Sequence, residues 1–231
     1  MTAPDWNICP SRDALAATLA RDIADTLAKA IGERGGASLA VSGGSTPGLL
    51  FDALSRTRLA WQKVVITLVD ERFVPPTSER SNEKLVRQRL LVNDARLARF
   101  LPLWSDVATA DQAADAAEAG LALLGPALDV VVLGMGNDAH TASFFPDAPN
   151  LDALTDPDQR KRVMPVETQA GGEPRLTLTL PSLIGARFLA LHIEGAEKRA
   201  ALECATDEIR PRPPIARVFD AAPHARVYWA P

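Results

Sequence analysis

The sequence predicts an α/β fold: a mostly parallel sheet with helices on both faces. Three observations carry the prediction. Helical and extended segments alternate along the chain, the best extended segments are continuous apolar runs, and helix-length stretches separate them. A strand that is apolar at every position is buried on both faces, and parallel strands are joined by right-handed helical crossovers.

The elements follow in order. Ser11 suits the cap of a helix in which Leu15, Leu19, Ile23 and Leu27 form one apolar stripe, and Gly32, Gly35 and Gly36 are expected to end it. Ala37 to Val41 is a short apolar strand; the glycine-rich stretch 42–48 and a helix from Pro47 to about Leu54 follow. Lys63 to Val69 (KVVITLV) is β-branched and reads as a buried strand. Ser81 to Leu91 reads as a helix, Phe100 to Leu103 as a strand and the Ala-rich stretch Ala108 to Leu124 as a helix. Asp129 to Leu133 (DVVVL) is the clearest buried strand. Val163 to Val166, Arg175 to Leu180 and Phe188 to Ile193 are further strands, Ala196 to Ala205 is a helix, and Arg226 to Trp229 is the last strand.

Composition narrows the function. At about 150 residues per domain, 231 residues make one domain spanning 1–231. The 25 Lys and Arg against 29 Asp and Glu give a net charge of −4, which argues against nucleic acid and anionic membrane as partners but leaves room for a small phosphorylated ligand. The two cysteines, Cys9 and Cys204, have no motif spacing and fit a reduced, cytoplasmic protein. The N-terminal stretch has no secretory pattern, and no apolar run approaches the roughly 18 residues of a membrane span. With three histidines and two scattered cysteines, no metal site is expected.

In such sheets ligands bind beyond the carboxyl ends of the strands. After the first apolar strand, Ser42-Gly43-Gly44-Ser45-Thr46-Pro47-Gly48 offers free N–H groups, hydroxyls and a helix start, with Thr46 read as the cap and Pro47 as the first helical residue. This favours an anion such as phosphate; a plain capped turn is the alternative. After the next strand come Asp70, Glu71 and Arg72, read either as a solvated loop or as a site where Arg72 binds a phosphate or hydroxyl with Asp70 nearby.

The segment after DVVVL is the most informative. It runs Gly134-Met135-Gly136-Asn137-Asp138-Ala139-His140-Thr141-Ala142-Ser143. Its G-x-G-x-x-A start is not a dinucleotide fingerprint, because Pro146 and Pro149 break the helix such a motif must open. Asp138 and His140 stand two apart, so a turn can set the carboxylate against the imidazole and make a general base; a structural histidine is the alternative. Lys198 lies in the first turn of the helix after the Phe188 strand, where a cation is unfavourable to the helix dipole; it is either held there by an anionic ligand or a solvated lysine. Arg175 is either a ligand contact or a surface residue. His192 reads as structural and His224 as exposed.

Together the stretches 42–54 (SGGSTPGLLFDAL), 69–82 (VDERFVPPTSERSN), 134–146 (GMGNDAHTASFFP), 175–183 (RLTLTLPSL), 195–202 (GAEKRAAL) and 227–231 (VYWAP) resemble the 6-phosphogluconolactonase family over nearly the whole chain. The resemblance implies a Rossmann-like fold, shared with glucosamine-6-phosphate deaminases and ribose-5-phosphate isomerase A. It implies hydrolysis of 6-phospho-D-glucono-1,5-lactone to 6-phosphogluconate in the oxidative pentose phosphate pathway, without cofactor. His140 then matches the catalytic histidine and Asp138 its acidic neighbour. Gly43, Gly44, Ser45 and Thr46 match the phosphate-side loop, and Arg72 and Lys198 match cations at the substrate; Asp70 and Arg175 join the substrate-binding candidates.

Two departures matter. Ala139 stands where the family pattern has Gly, which costs roughly 1 kcal/mol if that residue needs φ > 0. Deaminases, the nearest competitor, carry a Glu just before the proline after the histidine, where this chain has Phe145 before Pro146, and Asp-Glu-Tyr where it has Asp70-Glu71-Arg72. Both differences favour the lactonase, whether as a monomer or as a small homo-oligomer. A phosphosugar sensor without catalysis is a further alternative.

Overall fold

The computed structural model describes residues 4–167, 169, 172–207 and 211–231; residues 1–3 of the N-terminal stretch lie outside them. In chain order the elements are β1 (Asp5–Ile8), α1 (Arg12–Arg34), β2 (Ala37–Val41), α2 (Gly48–Ser55), β3 (Val64–Leu68), β4 (Asp70–Arg72), α3 (Asn82–Arg89), β5 (Arg99–Phe100), α4 (Ala110–Leu121), β6 (Val130–Leu133), α5 (Leu151–Leu154), β7 (Val163–Val166), β8 (Arg175–Leu178), α6 (Leu180–Ile184), β9 (Phe188–Glu194), α7 (Gly195–Thr206), α8 (Pro214–Ala221) and β10 (Arg226–Ala230).

Seven strands form one all-parallel sheet in the order β1-β10-β9-β6-β2-β3-β5. Every residue of β2 and β6 is buried, as an apolar strand covered on both faces must be. From β2 the chain builds outward through β3 to β5, then returns to the other side of β2 at β6. The reversal opens a crevice at the carboxyl ends of β2 and β6, the place where such sheets take ligands.

Local chemistry explains the flanking helices. Ser11 caps α1, its hydroxyl accepting from the Ala14 amide at 3.2 Å, and the Leu15, Leu19, Ile23 and Leu27 stripe is fully buried. Gly35 alone ends α1, in the left-handed region at φ 80, while Gly32 lies within the helix. Ser81 and Thr109 cap α3 and α4 through their hydroxyls.

Two expectations need correction. Helix α2 begins at Gly48 with Pro47 in the cap position and no side-chain cap bond, so the Thr46 hydroxyl is not spent as a cap. Asp70 to Arg72 is not a loop: it is β4, which pairs antiparallel with β8 in a separate three-stranded sheet, β4-β8-β7. That sheet arises because Glu71 is fully buried and accepts four hydrogen bonds, from the amides of Arg72, Asn82 and Glu83 and the hydroxyl of Ser81. A carboxylate at the start of α3 meets that helix's unpaired N–H groups. Burial draws the Glu71 pKa upward while those four donors draw it down, and burial dominates. The short strand β1 and the helices α5, α6 and α8 were not anticipated from the sequence; α5 and α6 are too short to show a period.

Candidate active site

The crevice is a cleft of ≈ 250 Å³. Its walls are the 42–47 loop after β2, the 134–136 turn after β6, β4 with β8, and the start of α7. The first two are stitched together: the Gly134 amide donates to Ser42 Oγ at 3.0 Å, and Thr141 Oγ1 donates to the Gly134 carbonyl at 2.7 Å.

The turn holding Asp138 and His140 is tightly determined. The Gly136 amide donates to the His140 carbonyl (2.8 Å) and the Ala139 amide to the Gly136 carbonyl (3.1 Å). The first amide of α8, at Ile215, reaches across to the Ala139 carbonyl at 3.1 Å, a support the sequence did not reveal. Ala139 sits at φ 62, as feared from the missing glycine, and Ala142 at φ 49. Both bear the left-handed penalty of an L-residue.

This geometry sets Asp138 Oδ1 2.6 Å from His140 Nδ1. The same carboxylate oxygen accepts from the His140 amide at 3.3 Å. Burial raises the Asp138 pKa, but hydrogen bonding and charge from His140 outweigh it and leave the carboxyl below its ordinary value. With Nδ1 engaged, Nε2 is the ring nitrogen left to exchange a proton; the side chain is 30% exposed and lines the cleft. Phe145 packs against the imidazole with ring centroids 4.5 Å apart. Gly136 makes room for the pair, since a Cβ there would lie 2.2 Å from His140 Nδ1 and 2.4 Å from Asp138 Oδ1.

The cations gather in the same cleft. Lys198 Nζ donates to the Met135 carbonyl at 2.8 Å; burial lowers its pKa, opposed by the charges of Asp138 and Glu197. Arg72 and Arg175 are register partners on β4 and β8, two like charges directly opposite each other. Arg72 donates from Nη1 to the Arg80 carbonyl, and its buried Nε has no hydrogen-bond partner. The Arg175 guanidinium lies over Phe145 at 5.3 Å and 3.8 Å from Asp70 Oδ2. Burial pulls its pKa down, and Asp70 pushes it back up. Asp70 is 7% exposed and also accepts from Ser143 Oγ at 2.7 Å. It therefore braces Arg175 and the histidine turn at once.

Gly43, Gly44, Ser45 and Thr46 line the opposite wall. Gly44 has φ 90, and Gly43 presses so closely on Asn82 that a Cβ would lie 1.9 Å from Asn82 Oδ1. Asn82 holds that position by donating to the Asp70 carbonyl at 2.8 Å. The structure thus brings all ten predicted site residues to one cleft or, for Asp138, to its histidine. It adds Asn82, Ser143 and His192, which sequence reasoning missed. The Ser81-Asn82 pair, at the start of the helix that follows the charged β4, was the available signal. Among the described residues no group of three or more His, Cys, Asp or Glu is placed to hold a metal ion.

The family model described as glucosamine-6-phosphate isomerases/6-phosphogluconolactonase matches residues 10–229. The chain belongs to that family. A 6-phosphogluconolactonase of Mesorhizobium japonicum is 54% identical over 228 residues, 98% of this chain and 95% of the relative. The crystal structure of a 6-phosphogluconolactonase from Shewanella baltica superposes with a TM-score of 0.94 at 35% identity, covering 100% and 99% of the two chains. A monomeric glucosamine-6-phosphate deaminase shares the fold at a TM-score of 0.80 and 18% identity, covering 98% and 97%. The α/β fold with its parallel seven-stranded sheet is therefore that of the glucosamine-6-phosphate isomerase/6-phosphogluconolactonase family.

Proposed function

We propose that this chain hydrolyses 6-phospho-D-glucono-1,5-lactone to 6-phospho-D-gluconate, the lactone-opening step of the oxidative pentose phosphate pathway. The observation that carries this reading is the Asp138–His140 pair, 2.6 Å apart and packed on Phe145, in a cleft shared with Arg72, Arg175 and Lys198. A carboxylate on Nδ1 fixes the imidazole tautomer and leaves Nε2 as the base. Nε2 takes a proton from water, and the water oxygen bonds to the lactone C1. The tetrahedral oxyanion then collapses, the bond from C1 to the ring oxygen breaks, and the imidazolium returns its proton to that oxygen. Backbone N–H groups near the developing charge lower the barrier.

The phosphate is held by the 43–46 loop and the cations, at a distance from the reacting carbon, where its binding energy orients the ester. Opposed Arg72 and Arg175 support this, because an anion relieves their repulsion. Phe145 supports the lactonase over the deaminase: at the place where the deaminase resemblance calls for a proton-relaying Glu, an apolar ring lies against His140. The same reading makes the chain one domain acting as a cytoplasmic monomer or small homo-oligomer on a phosphosugar lactone, with no nucleic-acid or membrane partner. Among the described residues no helix is long and apolar enough to cross a membrane.

The test follows the loss of lactone generated by glucose-6-phosphate dehydrogenase. Wild-type protein accelerates that loss, and His140→Ala lowers kcat by about 10²–10⁴ with the fold intact. Near-wild-type turnover in the variant would remove His140 from the mechanism; no acceleration by wild type, with ammonia released from glucosamine 6-phosphate, would make the protein a deaminase.

A further inference from the structure

His192 is one of the chain's three histidines, and the mechanism above does not use it. It lies near the carboxyl end of β9, is 3% exposed, and lines the same cleft as His140. Its Nε2 faces Glu194 Oε1 at 3.5 Å, and neither atom has a hydrogen-bond partner. The Glu194 side chain is itself only 12% exposed, and its other oxygen lies 3.4 Å from Arg12 Nε. A histidine kept only for packing is expected to have its polar atoms satisfied. This one meets a carboxylate on one side of its ring and an open cleft on the other.

The carboxylate decides the chemistry. A proton on Nε2 is the one that faces Glu194 favourably, as in carboxylate-oriented imidazoles elsewhere. In the neutral ring Nδ1 then carries a lone pair and accepts a hydrogen bond. A lone pair repels phosphate oxygens and takes a hydroxyl hydrogen. We propose that His192, oriented by Glu194, reads a hydroxyl of the sugar-acid ring by accepting its hydrogen bond at Nδ1. This rests on the lactonase reading and adds a specificity contact for the ring to the contacts that hold the phosphate. A neutral hydrogen bond of this kind is worth about tenfold in kcat/KM.

The experiment compares 6-phosphogluconolactone with its 2-, 3- and 4-deoxy analogues for wild type, His192→Leu and His192→Asn, each checked for thermal unfolding. Wild-type turnover of the parent lactone tests the lactonase reading by itself. With that secured, one deoxy analogue loses about tenfold in wild type. His192→Leu is about tenfold slower on the parent and loses nothing further on that analogue. His192→Asn, which places a carboxamide oxygen near the former Nδ1, keeps the deoxy penalty. His192→Leu matching wild type on the parent, or keeping the full penalty on the sensitive analogue, overturns the proposal. If the leucine variant fails to fold, the asparagine variant decides: a penalty kept supports the contact, a penalty lost removes it.

Discussion

Gly136→Ala is the sharpest probe of the histidine turn, because one methyl group meets both members of the pair. The added Cβ would stand 2.2 Å from His140 Nδ1 and 2.4 Å from Asp138 Oδ1, where ordinary contact begins at 3.4 Å. The imidazole must therefore retreat by about 1.2 Å and the carboxylate by about 1 Å. Gly136 does not occupy the left-handed region, so alanine is acceptable to the backbone itself, and the cost falls on the pair. A misplacement near 1 Å at a reacting group costs on the order of 10² in rate. Lactone opening liberates one acid per turnover, so a pH-stat reads the rate once spontaneous hydrolysis is subtracted. The expected result is kcat down about 10²-fold, a KM within a few-fold of wild type and a cooperative unfolding transition retained. A variant with wild-type kcat would refute the claim that the observed Asp138–His140 contact is the catalytic geometry.

Lys198→Ala removes a charge-assisted contact worth about 1.5–3 kcal/mol and should raise KM at least about tenfold; an unchanged KM in steady-state kinetics would take Lys198 away from the phosphate. Ala139→Gly removes a left-handed penalty of about 1–2 kcal/mol and adds about 0.5–1 kcal/mol of chain entropy. The net gain of up to about 1.5 kcal/mol raises Tm by roughly 2–4 °C per kcal/mol, and a fall in Tm would mean that the buried methyl outweighs the strain. Glu71→Gln turns an acceptor of four hydrogen bonds into a group that must aim N–H at N–H. It should destabilise by about 2–3 kcal/mol in urea unfolding, and a loss under about 0.5 kcal/mol would show that β4 is held by packing alone.

Strands β2, β3, β6, β9 and β10 were legible because an unbroken apolar run has few other homes than a sheet buried on both faces. The site was legible for a related reason: its loops follow those strands, and crevice position is set by topology. Asp70 and Arg72 were found as candidates but given the wrong backbone, since three successive charges read as loop. The signal that makes them a strand is Glu71, whose burial depends on amides at residues 82 and 83 and on the Ser81 hydroxyl, about ten positions away. His192 shows a different limit. Alternation with apolar neighbours marks it as inward-facing, as it is at 3% exposed, and nothing local reveals that it also lines the cleft.

The two ends of the central sheet treat their charges differently, and the contrast argues for a ligand at one of them. Asp129, just before β6 at the amino end, accepts from the Ser38 amide at 2.9 Å, from the Ser38 hydroxyl, and pairs with Arg34 and with Arg187 at 3.3 Å. That carboxylate is saturated. At the carboxyl end Arg faces Arg across a strand pair, Arg72 Nε is buried without a partner, Ala139 stands at φ 62, and a buried imidazole lies 3.5 Å from a carboxylate. Chains usually break local rules at functional sites and recover the cost elsewhere. Here an anion answers the cations, a reacting ester answers the held imidazole, and a hydroxyl answers His192. One phosphorylated sugar lactone supplies all three, whereas inorganic phosphate answers only the first. Phosphate should therefore compete with the lactone weakly, as a fragment of it does, and 6-phosphogluconate, which keeps the hydroxyls and the phosphate, should compete more strongly.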